Sequence, residues 1–389
     1  MKLNPDNPVF HPEPREHCGD EFGLSEVRLA NRNAGIHLEM LEHDITPIGM
    51  HYLLSHFDIP SVPDKEAWRL DIDGLVEQPL SLGLSDLEEY PLLEQAVTLE
   101  CAGNGRALLR PRWRNMPWCL EAVGTARWGG TSLGRILSKA VPLNRATTVV
   151  FSGADVGFDA GHLHRYERAL SIEDVMCAEV MLAWQINDQP LPPQHGFPLR
   201  LVVPGWYGMA SVKWLKKITV TDEPFDGYQQ SSTYMYRQSK DDTGTPVTRI
   251  RVRSLMIPPG LPDYLSRRRV LAAGETLLRG RAWSGGDAKI SRVEIAIQAL
   301  DPTNEEAEQA DLEWSPAELD GATGRFSWQA WQYRWQASPG LYRLYCRATD
   351  SAGEIQSIES PWDWAGLGNN AVQQINVWVE AQLPQIDEQ

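Results

Sequence analysis

Alternating polar and apolar residues over the last third of the chain limit what it can fold into. Five segments there have a two-residue period: ETLLRGRAW, KISRVEIAIQA, RFSWQAWQYRW, LYRLYCRATD and VQQINVWVE. A period of two places successive side chains on opposite faces of a strand. Gly, Pro, Asp and Ser separate these segments. Strands at this spacing predict a β-sandwich of about 110 residues.

The preceding part of the chain has a different pattern, in which short strands and short helices alternate. WRLDIDG, QAVTLEC, TTVVFSGAD and PLRLVVPGWYG have the composition of strands. In LSLGLSDLEEYP, Ser85 with Glu88 three residues later predicts the cap of a short helix that Pro91 stops. We therefore predict an α+β chain with an N-terminal arm over residues 1–60 that packs on the next domain, a mixed α/β domain over 61–236, a connection over 237–268 and the β-sandwich over 269–385.

Length and charge exclude several classes of partner. The chain has 389 residues, which suits two domains, and a formal net charge of −16 at pH 7. Nucleic acids and anionic membranes require a basic protein face, so we expect neither as a main partner. No apolar run approaches the ~20 residues of a membrane span, and the N-terminus lacks the apolar core of a secretory signal. We expect a cytoplasmic protein, or a periplasmic one if a leader has been removed.

Cys101 stands where the strand segment VTLEC gives way to the loop AGNGR. Free cysteine is commonly a small buried hydrophobe, and Asn-Gly also suits a hairpin turn. However, the N–H groups of a Gly-Asn-Gly loop can form an anion-binding nest, and Arg106 adds a guanidinium. A thiolate in that field could be a nucleophile or a ligand to a soft metal. The five cysteines include no CxxC pair, which argues against a zinc ribbon or a disulfide framework.

Two further segments carry residues that could bind anions or metals. PPQHGFPLRLVVPGWYGMASVKWL brings together His195, Arg200 and Lys213, which is compatible with a phosphate site or with a structural loop. GHLHRYER places His162 and His164 at the spacing of two ligands on one strand face, but a surface role is the simpler interpretation. The tryptophans near the C-terminus are assigned to the sandwich core or an interface.

Taken together and in this order, these segments resemble the sulfite oxidase family of molybdenum-cofactor (molybdopterin) oxidoreductases. The resemblance rests on DGLVEQPLSLGLSDLEEYP, TLECAGNGR, AVGTARWGG, FSGAD and NDQPLPPQHGFPLRLVVPGWYGMASVKWL, followed by GRAWSGG, VEIAI and CRATDSAGEIQ. It covers nearly the whole chain. It implies a sulfite-oxidase-type molybdopterin-binding domain, an immunoglobulin-like dimerisation domain and a homodimer.

The resemblance also assigns roles to individual residues. Cys101 matches the thiolate that binds molybdenum. Arg106 and Trp118 match residues of the substrate pocket. Tyr234 matches the active-site tyrosine, with Tyr236 as the alternative. The residues that match the family's contacts to the pterin or its phosphate are His56, Asp155, His195, Arg200, Ser211 and Lys213.

Two positions depart from the family. Leu54, in LLSHFDIP, replaces the arginine of an Arg-Asn-His triplet, and Ala365, in WDWAG, replaces the arginine of WNLRG. Fewer charge-assisted hydrogen bonds to an anion weaken the case for sulfite. The resemblance implies two-electron oxygen-atom transfer on sulfite or a related sulfur oxyanion. The alternative is the same chemistry on another substrate, as in a sulfur-compound dehydrogenase or a reductase of an oxidised substrate.

The resemblance has consequences for partners. The two domains use the full length, so we expect no haem or flavin in this chain and an external electron acceptor such as a cytochrome. We expect a small anionic or sulfur-containing substrate. Arg110, Arg112 or Arg127 could replace the lost pocket arginines. A non-enzymatic protein with a vestigial cofactor pocket is a further alternative, against which the retained cofactor-contact residues argue.

Overall fold

The structure is a computed structural model that describes residues 17–19, 21–62, 64–301, 312–359 and 361–384. Its contacts divide the chain into two units. The first unit contains the described residues of Met1–Ile36, Pro47–Ile250 and Pro361–Asn369. The second contains those of His37–Thr46, Arg251–Ser360 and Asn370–Gln389.

Short strands and helices alternate in the first unit, as the sequence pattern predicts. Its strands are β1 (His17–Cys18), β2 (Leu70–Gly74), β3 (Leu80–Leu82), β4 (Leu93–Glu100), β5 (Arg112–Trp113), β6 (Val123–Ser132), β7 (Thr148–Asp159), β8 (His162–Ser171), β9 (Met181–Ile186), β10 (Gln189–Pro190), β11 (Arg200–Val202), β12 (Leu215–Thr221), β13 (Met235–Tyr236) and β14 (Thr245–Pro246).

The helices of the first unit are short. The α-helices are α1 (Leu24–Arg32), α2 (Leu84–Glu88), α3 (Leu133–Ala140) and α4 (Ile172–Val175). Single 3₁₀ turns occur at Ile48–Met50, Arg106–Leu108, Pro193–His195 and Gly208–Ala210, and a π-helical turn occurs at Gln229–Thr233. No helix in the described ranges of either unit combines the length and the apolar character needed to cross a membrane.

Two sheets form the framework of the first unit. In one, β4, β6, β9 and β10 pair antiparallel in that order, and β11 also pairs with β9. In the other, the order is β3-β2-β12-β7-β8, and only β2 and β12 run parallel. Strand β4 ends in the buried run Val97–Glu100 immediately before Cys101. Because β4 is hydrogen-bonded to β6 along its length, the end of β4 is held rigidly, and so is the start of the loop that follows.

The short helix predicted in LSLGLSDLEEYP is α2, but its cap differs from the prediction. The helix begins at Leu84, and the N–H of the N-cap residue Gly83 donates to the Asp86 carboxylate at 2.7 Å. Ser85 therefore lies inside the helix. Glycine is accepted at an N-cap, and an acidic side chain three residues later can reach back to its N–H.

The second unit consists mainly of strands. These are β15 (Arg253–Met256), β16 (Leu261–Pro262), β17 (Arg269–Ala272), β18 (Gly274–Trp283), β19 (Ile290–Leu300), β20 (Ser315–Pro316), β21 (Glu318–Leu319), β22 (Gln329–Ala337), β23 (Gly340–Asp350) and β24 (Gln373–Glu380), with a 3₁₀ turn at Leu38–Glu42. The five segments with a two-residue period correspond to β18, β19, β22, β23 and β24, so those strand predictions are confirmed.

These strands form a sandwich of two sheets, ordered β15-β18-β22-β21 and β16-β17-β24-β23-β19-β20. One hydrophobic cluster combines side chains from both sheets, among them Leu278 and Trp331 from the first and Val293 and Leu344 from the second. Burial of both inner faces against each other is what holds a β-sandwich together. The predicted fold class, a mixed domain followed by a β-sandwich, is confirmed.

A buried ion pair fixes α1 to the start of β5 in the first unit. Glu26 and Arg112 are each 1% exposed, and Arg112 Nη2 donates to Glu26 Oε2 at 3.2 Å while Nη1 contacts Oε1. The guanidinium also donates to the carbonyl oxygens of Gly19 and Glu21. Removing one member of such a pair leaves the other charge buried and unpaired, which is strongly destabilising.

We expect Glu26→Ala to lower the free energy of unfolding by about 3–5 kcal/mol, because Arg112 would remain buried without its carboxylate. Denaturant titration followed by circular dichroism measures the change. Asp188→Ala is the matched control, since its pair with Arg127 at 2.8 Å lies on the surface, and it should cost less than about 1 kcal/mol. Equal losses of unfolding free energy in Glu26→Ala and Asp188→Ala would contradict the prediction that the buried pair matters more than the surface pair.

Candidate functional site

A cavity lies within the first unit. Eight of the ten residues singled out from the sequence line it, and Arg106 and Trp118 do not. The eight lining residues are His56, Cys101, Asp155, His195, Arg200, Ser211, Lys213 and Tyr234. Residues from seven separate loops and strands, up to 178 positions apart, thus converge on one space.

Cys101 lies at the wall of this cavity, at the first position after β4. Its backbone N–H donates to the Ala122 carbonyl at 2.9 Å, which fixes the main chain, and its Sγ accepts from the Gly103 N–H at 3.4 Å. Burial raises the pKa of the Cys101 thiol, and the Arg106 guanidinium and the Gly103 N–H oppose that rise. The thiolate is therefore favoured when a cation such as a metal ion compensates its charge.

Trp118 lies close to the same thiol. The residue is 4% exposed, and its indole is near enough to Cys101 to favour the thiolate and lower the pKa of the thiol. Over the described ranges, the indole N–H has no hydrogen-bond partner of good geometry. The Cys101 sulfur is therefore the acceptor that the indole N–H approaches.

Arg106 occupies a narrow slot made by two glycines. Its Nε donates to the Ala365 carbonyl at 2.9 Å and its Nη1 to the Met116 carbonyl at 3.2 Å. A Cβ atom at Gly103 would lie 2.7 Å from the guanidinium nitrogens, and one at Gly366, where φ is +68°, would lie 2.6 Å from Arg106 Cγ. The second glycine of the slot comes from the WDWAG segment, far along the chain. The Gly-Asn-Gly loop therefore leaves room for the Arg106 side chain, and its Gly103 N–H donates to Cys101 Sγ.

Lys213 and Arg200 place two buried cations at the cavity. Lys213 Nζ donates to the Leu54 carbonyl at 2.9 Å, to Ser55 Oγ at 2.8 Å and to the Gln194 carbonyl at 2.9 Å. Burial, together with repulsion from Arg200, lowers the pKa of Lys213 to about 7. Burial also lowers the pKa of Arg200 to about 10. Both shifts mean that burial in the protein disfavours positive charge at this wall, and that an anion bound beside it would favour that charge.

Hydrogen bonds from Arg200 fix the backbone that surrounds it. Arg200 Nη1 donates to the His195 carbonyl and Nη2 to the Ser211 carbonyl, each at 3.1 Å. Ser211 Oγ in turn accepts from the Val203 N–H at 3.1 Å. Burial lowers the pKa of His195 to about 2, so its imidazole is neutral at physiological pH and can donate from one nitrogen and accept at the other.

Two buried polar atoms of residues in the cavity wall make no hydrogen bond of good geometry among the residues that the structure describes. These are Asp155 Oδ1 and Nε2 of His51. Burial raises the pKa of Asp155 to about 6 and lowers that of His51 to about 4, and backbone groups partly oppose both shifts. Both atoms are therefore available to a ligand that has donor and acceptor groups. His51 was not found from the sequence, because it belongs to no motif that we had singled out.

Tyr234 reaches the cavity from the end of the π-helical turn. Its Oη lies 3.0 Å from His56 Nε2, and the His56 ring is 4.9 Å from the ring of Tyr166. Tyr166, a second residue missed in the sequence, also lines the cavity and donates to the Met209 carbonyl at 2.8 Å. Burial raises the pKa of Tyr234 well above its usual value, so the phenol stays protonated. The alternative, Tyr236, does not line the cavity.

The arginines expected to compensate for Leu54 and Ala365 lie elsewhere. Arg112 is enclosed with Glu26, and Arg127 pairs with Asp188 on the surface. Arg110 Nη1 donates to the carbonyl oxygens of two neighbouring residues of its own loop. None of the three lines the cavity.

His162 and His164, the two histidines of GHLHRYER, contact the same aromatic ring in the first unit. His162 stacks on Tyr228 with ring centres 5.1 Å apart, and His164 contacts the same ring at 5.0 Å. Across the described ranges of the chain, no three His, Cys, Asp or Glu side chains are grouped so that they could hold a metal ion.

Sequence families match both parts of the chain. The family described as "Oxidoreductase molybdopterin binding domain" matches residues 56–229, and "Mo-co oxidoreductase dimerisation domain" matches residues 245–380. The mitochondrial sulfite oxidase of Homo sapiens is 31% identical over 398 residues, covering 96% of this chain and 67% of that protein. The sulfite oxidase of Gallus gallus is 31% identical, covering 95% of this chain and 82% of that protein.

Two more distant proteins are also similar to this chain, one in sequence and one in fold. An NADH nitrate reductase of Brassica napus is 28% identical, covering 95% of this chain but only 43% of that protein. The crystal structure of the sulfane dehydrogenase SoxCD from Paracoccus pantotrophus superposes with a TM-score of 0.73 at 24% identity, covering 89% of this chain and 86% of that chain. This likeness concerns the fold.

We expect Gly103→Ala to displace the Arg106 guanidinium and to lower the free energy of unfolding by about 1–3 kcal/mol, because the added methyl overfills the slot. A crystal structure of the variant and denaturant titration measure the two effects. Gly49→Ala is the control, since a Cβ at Gly49 meets no atom within 4 Å. An Arg106 that keeps its bond to Ala365 in the Gly103 variant would refute the prediction.

Proposed function

Because the chain belongs to the sulfite oxidase family of molybdenum-cofactor oxidoreductases, we propose that it catalyses a two-electron oxygen-atom transfer on a small sulfur oxyanion. The observation that supports this best is that a buried thiol and two buried cations line the same cavity. One soft ligand for a metal and an anion-binding wall are the two features that such a cofactor requires.

The residues of the cavity fit the molybdenum cofactor. A pterin is a heterocycle with donor and acceptor edges, which suits His51 Nε2 and Asp155 Oδ1 in the cavity wall. Its phosphate is an anion, and Arg200 and Lys213 supply the positive charge it needs. We assign His56, His195 and Ser211, which complete the predicted set, to the same cofactor contact.

When bound, the cofactor supplies a metal that exchanges two electrons and an oxygen atom with the substrate. We assign Cys101 to hold the metal through its thiolate. Arg106 would bind the substrate's oxygen atoms and stabilise negative charge in the transition state, its guanidinium being preorganised by the Ala365 and Met116 carbonyls. Trp118 would form the apolar side of the substrate pocket.

Tyr234 serves as a hydrogen-bond donor to an oxygen of the substrate in this mechanism. Its phenol is protonated, and its oxygen lies 3.0 Å from His56 Nε2. In the tautomer that carries the Nε2 proton, His56 donates to this oxygen and leaves the phenolic proton for the substrate. A hydrogen bond aimed beforehand at a position where charge develops lowers the barrier without reorganisation. The anion would thus accept hydrogen bonds from a neutral donor, Tyr234, and from a charged donor, Arg106.

For the substrate, we propose sulfite or a related sulfur oxyanion, in keeping with the names of the vertebrate relatives. A second candidate is a less charged sulfur compound or an oxidised substrate that is reduced. Leu54 and Ala365 favour it, since Leu54 lines the cavity with an apolar side chain and Ala365 offers Arg106 only its carbonyl oxygen.

We propose that the electrons leave to a separate acceptor such as a cytochrome, and that the protein is a homodimer. The match of residues 245–380 to the dimerisation domain supports the dimer. The β-sandwich of the second unit would supply its interface.

We expect Cys101→Ser to keep the fold but to lower molybdenum content and turnover by more than about 100-fold. The reason is that loss of a metal ligand should exceed the 10–100-fold effects typical of residues that merely orient ligands. Metal analysis, pterin fluorescence and circular dichroism separate cofactor loss from unfolding. Cys177→Ser, at an exposed thiol, is the control and should match wild type. An active, metal-loaded Cys101 variant would refute the ligand assignment.

We expect the wild type to oxidise sulfite with an artificial electron acceptor. Leu54→Arg combined with Ala365→Arg should raise kcat/KM for sulfite by about 10-fold or more, because each charge-assisted hydrogen bond to the anion contributes about 1.5–3 kcal/mol. Leu92→Arg adds the same charge at an exposed position and should have no such effect. Steady-state kinetics over a panel of sulfur compounds distinguishes the candidates. A wild type inactive on sulfite but active on a less charged compound would establish the second one.

A further inference from the structure

Arg168 is a buried cation for which the proposed mechanism has no use. It lies in β8 two residues after Tyr166, so both side chains project from the same face of the strand. Arg168 is 3% exposed, and no carboxylate among the described residues offsets the burial of its charge. Burial lowers its pKa. Burying an unpaired charge is costly, so a specific role should be sought for it.

The guanidinium of Arg168 makes two contacts with the segment that carries Tyr234. Nη1 donates to the Gln229 carbonyl at 2.5 Å. The guanidinium carbon lies 5.4 Å from the centre of the Tyr234 ring, which is within the range of a cation–π interaction. One side chain therefore holds the segment Gln229–Tyr234 at both of its ends.

The segment between these two contacts is the π-helical turn Gln229–Thr233. Such turns are rare and occur frequently at functional sites. Gln229 is 1% exposed, and its amide Nε2 lies 3.1 Å from His164 Nε2. The turn ends at Tyr234, whose backbone has left the helical region at φ −105° and ψ 64°. The direction of the tyrosine side chain thus depends on how firmly the turn is held.

We propose that Arg168 is the positioning residue for Tyr234. Its bond to Gln229 fixes the π-helical turn and its contact with the ring fixes the tyrosine, so that the hydroxyl stays 3.0 Å from His56 at the cavity. Arg168 itself does not line the cofactor cavity, so it acts through the tyrosine. The inference rests on the proposed function, because the role of Tyr234 is part of that proposal.

A double-mutant cycle tests whether Arg168 acts through Tyr234. Arg168→Met is made in the wild type and in Tyr234→Phe, and kcat and KM are measured for the substrate that the panel identifies. We expect Arg168→Met to lower kcat at least 10-fold in the wild type and less than 2-fold in the Tyr234→Phe background, with KM changing less than 3-fold. Arg249→Met is the matched control, because Arg249 also lies over an aromatic ring, that of Trp206 at 5.0 Å, and should leave kcat unchanged.

A second measurement reports on the tyrosine without turnover. The protein is labelled with 3-fluorotyrosine, and the Tyr234 signal in the ¹⁹F NMR spectrum is assigned by its disappearance in Tyr234→Phe. We expect Arg168→Met to shift this signal, and Arg249→Met to leave it in place. Arg168→Gln, which keeps a donor for the Gln229 carbonyl but removes the charge, is used if Arg168→Met does not fold. It should shift the same signal and lower kcat by a smaller factor.

The outcomes separate this inference from the proposed function. Equal losses of kcat in both backgrounds, or an unmoved Tyr234 signal, would overturn the role of Arg168 while leaving the function intact. A Tyr234→Phe variant as active as the wild type would overturn the role of Tyr234, and the inference with it. Failure of both Arg168 variants to fold would also overturn the inference, because Arg168 would then be a requirement of the fold.

Discussion

The burial of Arg200 and Lys213 at one cavity is the constraint on which the rest of the first unit depends. Within the described residues, neither cation forms an ion pair with a carboxylate. Arg200 donates to carbonyl oxygens, and Lys213 donates to two carbonyl oxygens and to the Ser55 hydroxyl. Carbonyl groups can be aimed at a cation only if the backbone is held rigidly. The loops around His195 and Ser211 are therefore tied to the cations that they enclose, and an anionic ligand would favour the positive charge that burial disfavours.

The two donors assigned to the substrate depend on a similar arrangement. Arg106 is oriented by carbonyl oxygens and by the absence of side chains at Gly103 and Gly366. Tyr234 is oriented by His56 and stands at the end of a π-helical turn. In both cases the orientation is set before any ligand binds, which is the property that makes electrostatic stabilisation effective in catalysis. This arrangement buries polar groups, and only the complete fold supplies the hydrogen bonds that satisfy them.

Several parts of this structure could be predicted because they are local. The two-residue period of segments such as KISRVEIAIQA is sufficient to predict a strand, and the strand end before Cys101 can be located in the same way. The cap of α2 could not be predicted, since Gly83 with Asp86 and Ser85 with Glu88 satisfy nearly the same rule. His51 and Tyr166 gave no signal at all, because a lone histidine or tyrosine belongs to a site only through what the fold places beside it.

The sequence by itself determined the two-part architecture, the position of a thiol at a strand end and the set of residues that resemble cofactor contacts. The tertiary structure decided which of these residues share one cavity and how each is held. Arg106 is bonded to the carbonyl of Ala365, 259 positions away, and Arg112 is paired with Glu26, 86 positions away. Contacts of this range depend on the folded positions of whole strands and loops, so no local pattern of residues encodes them.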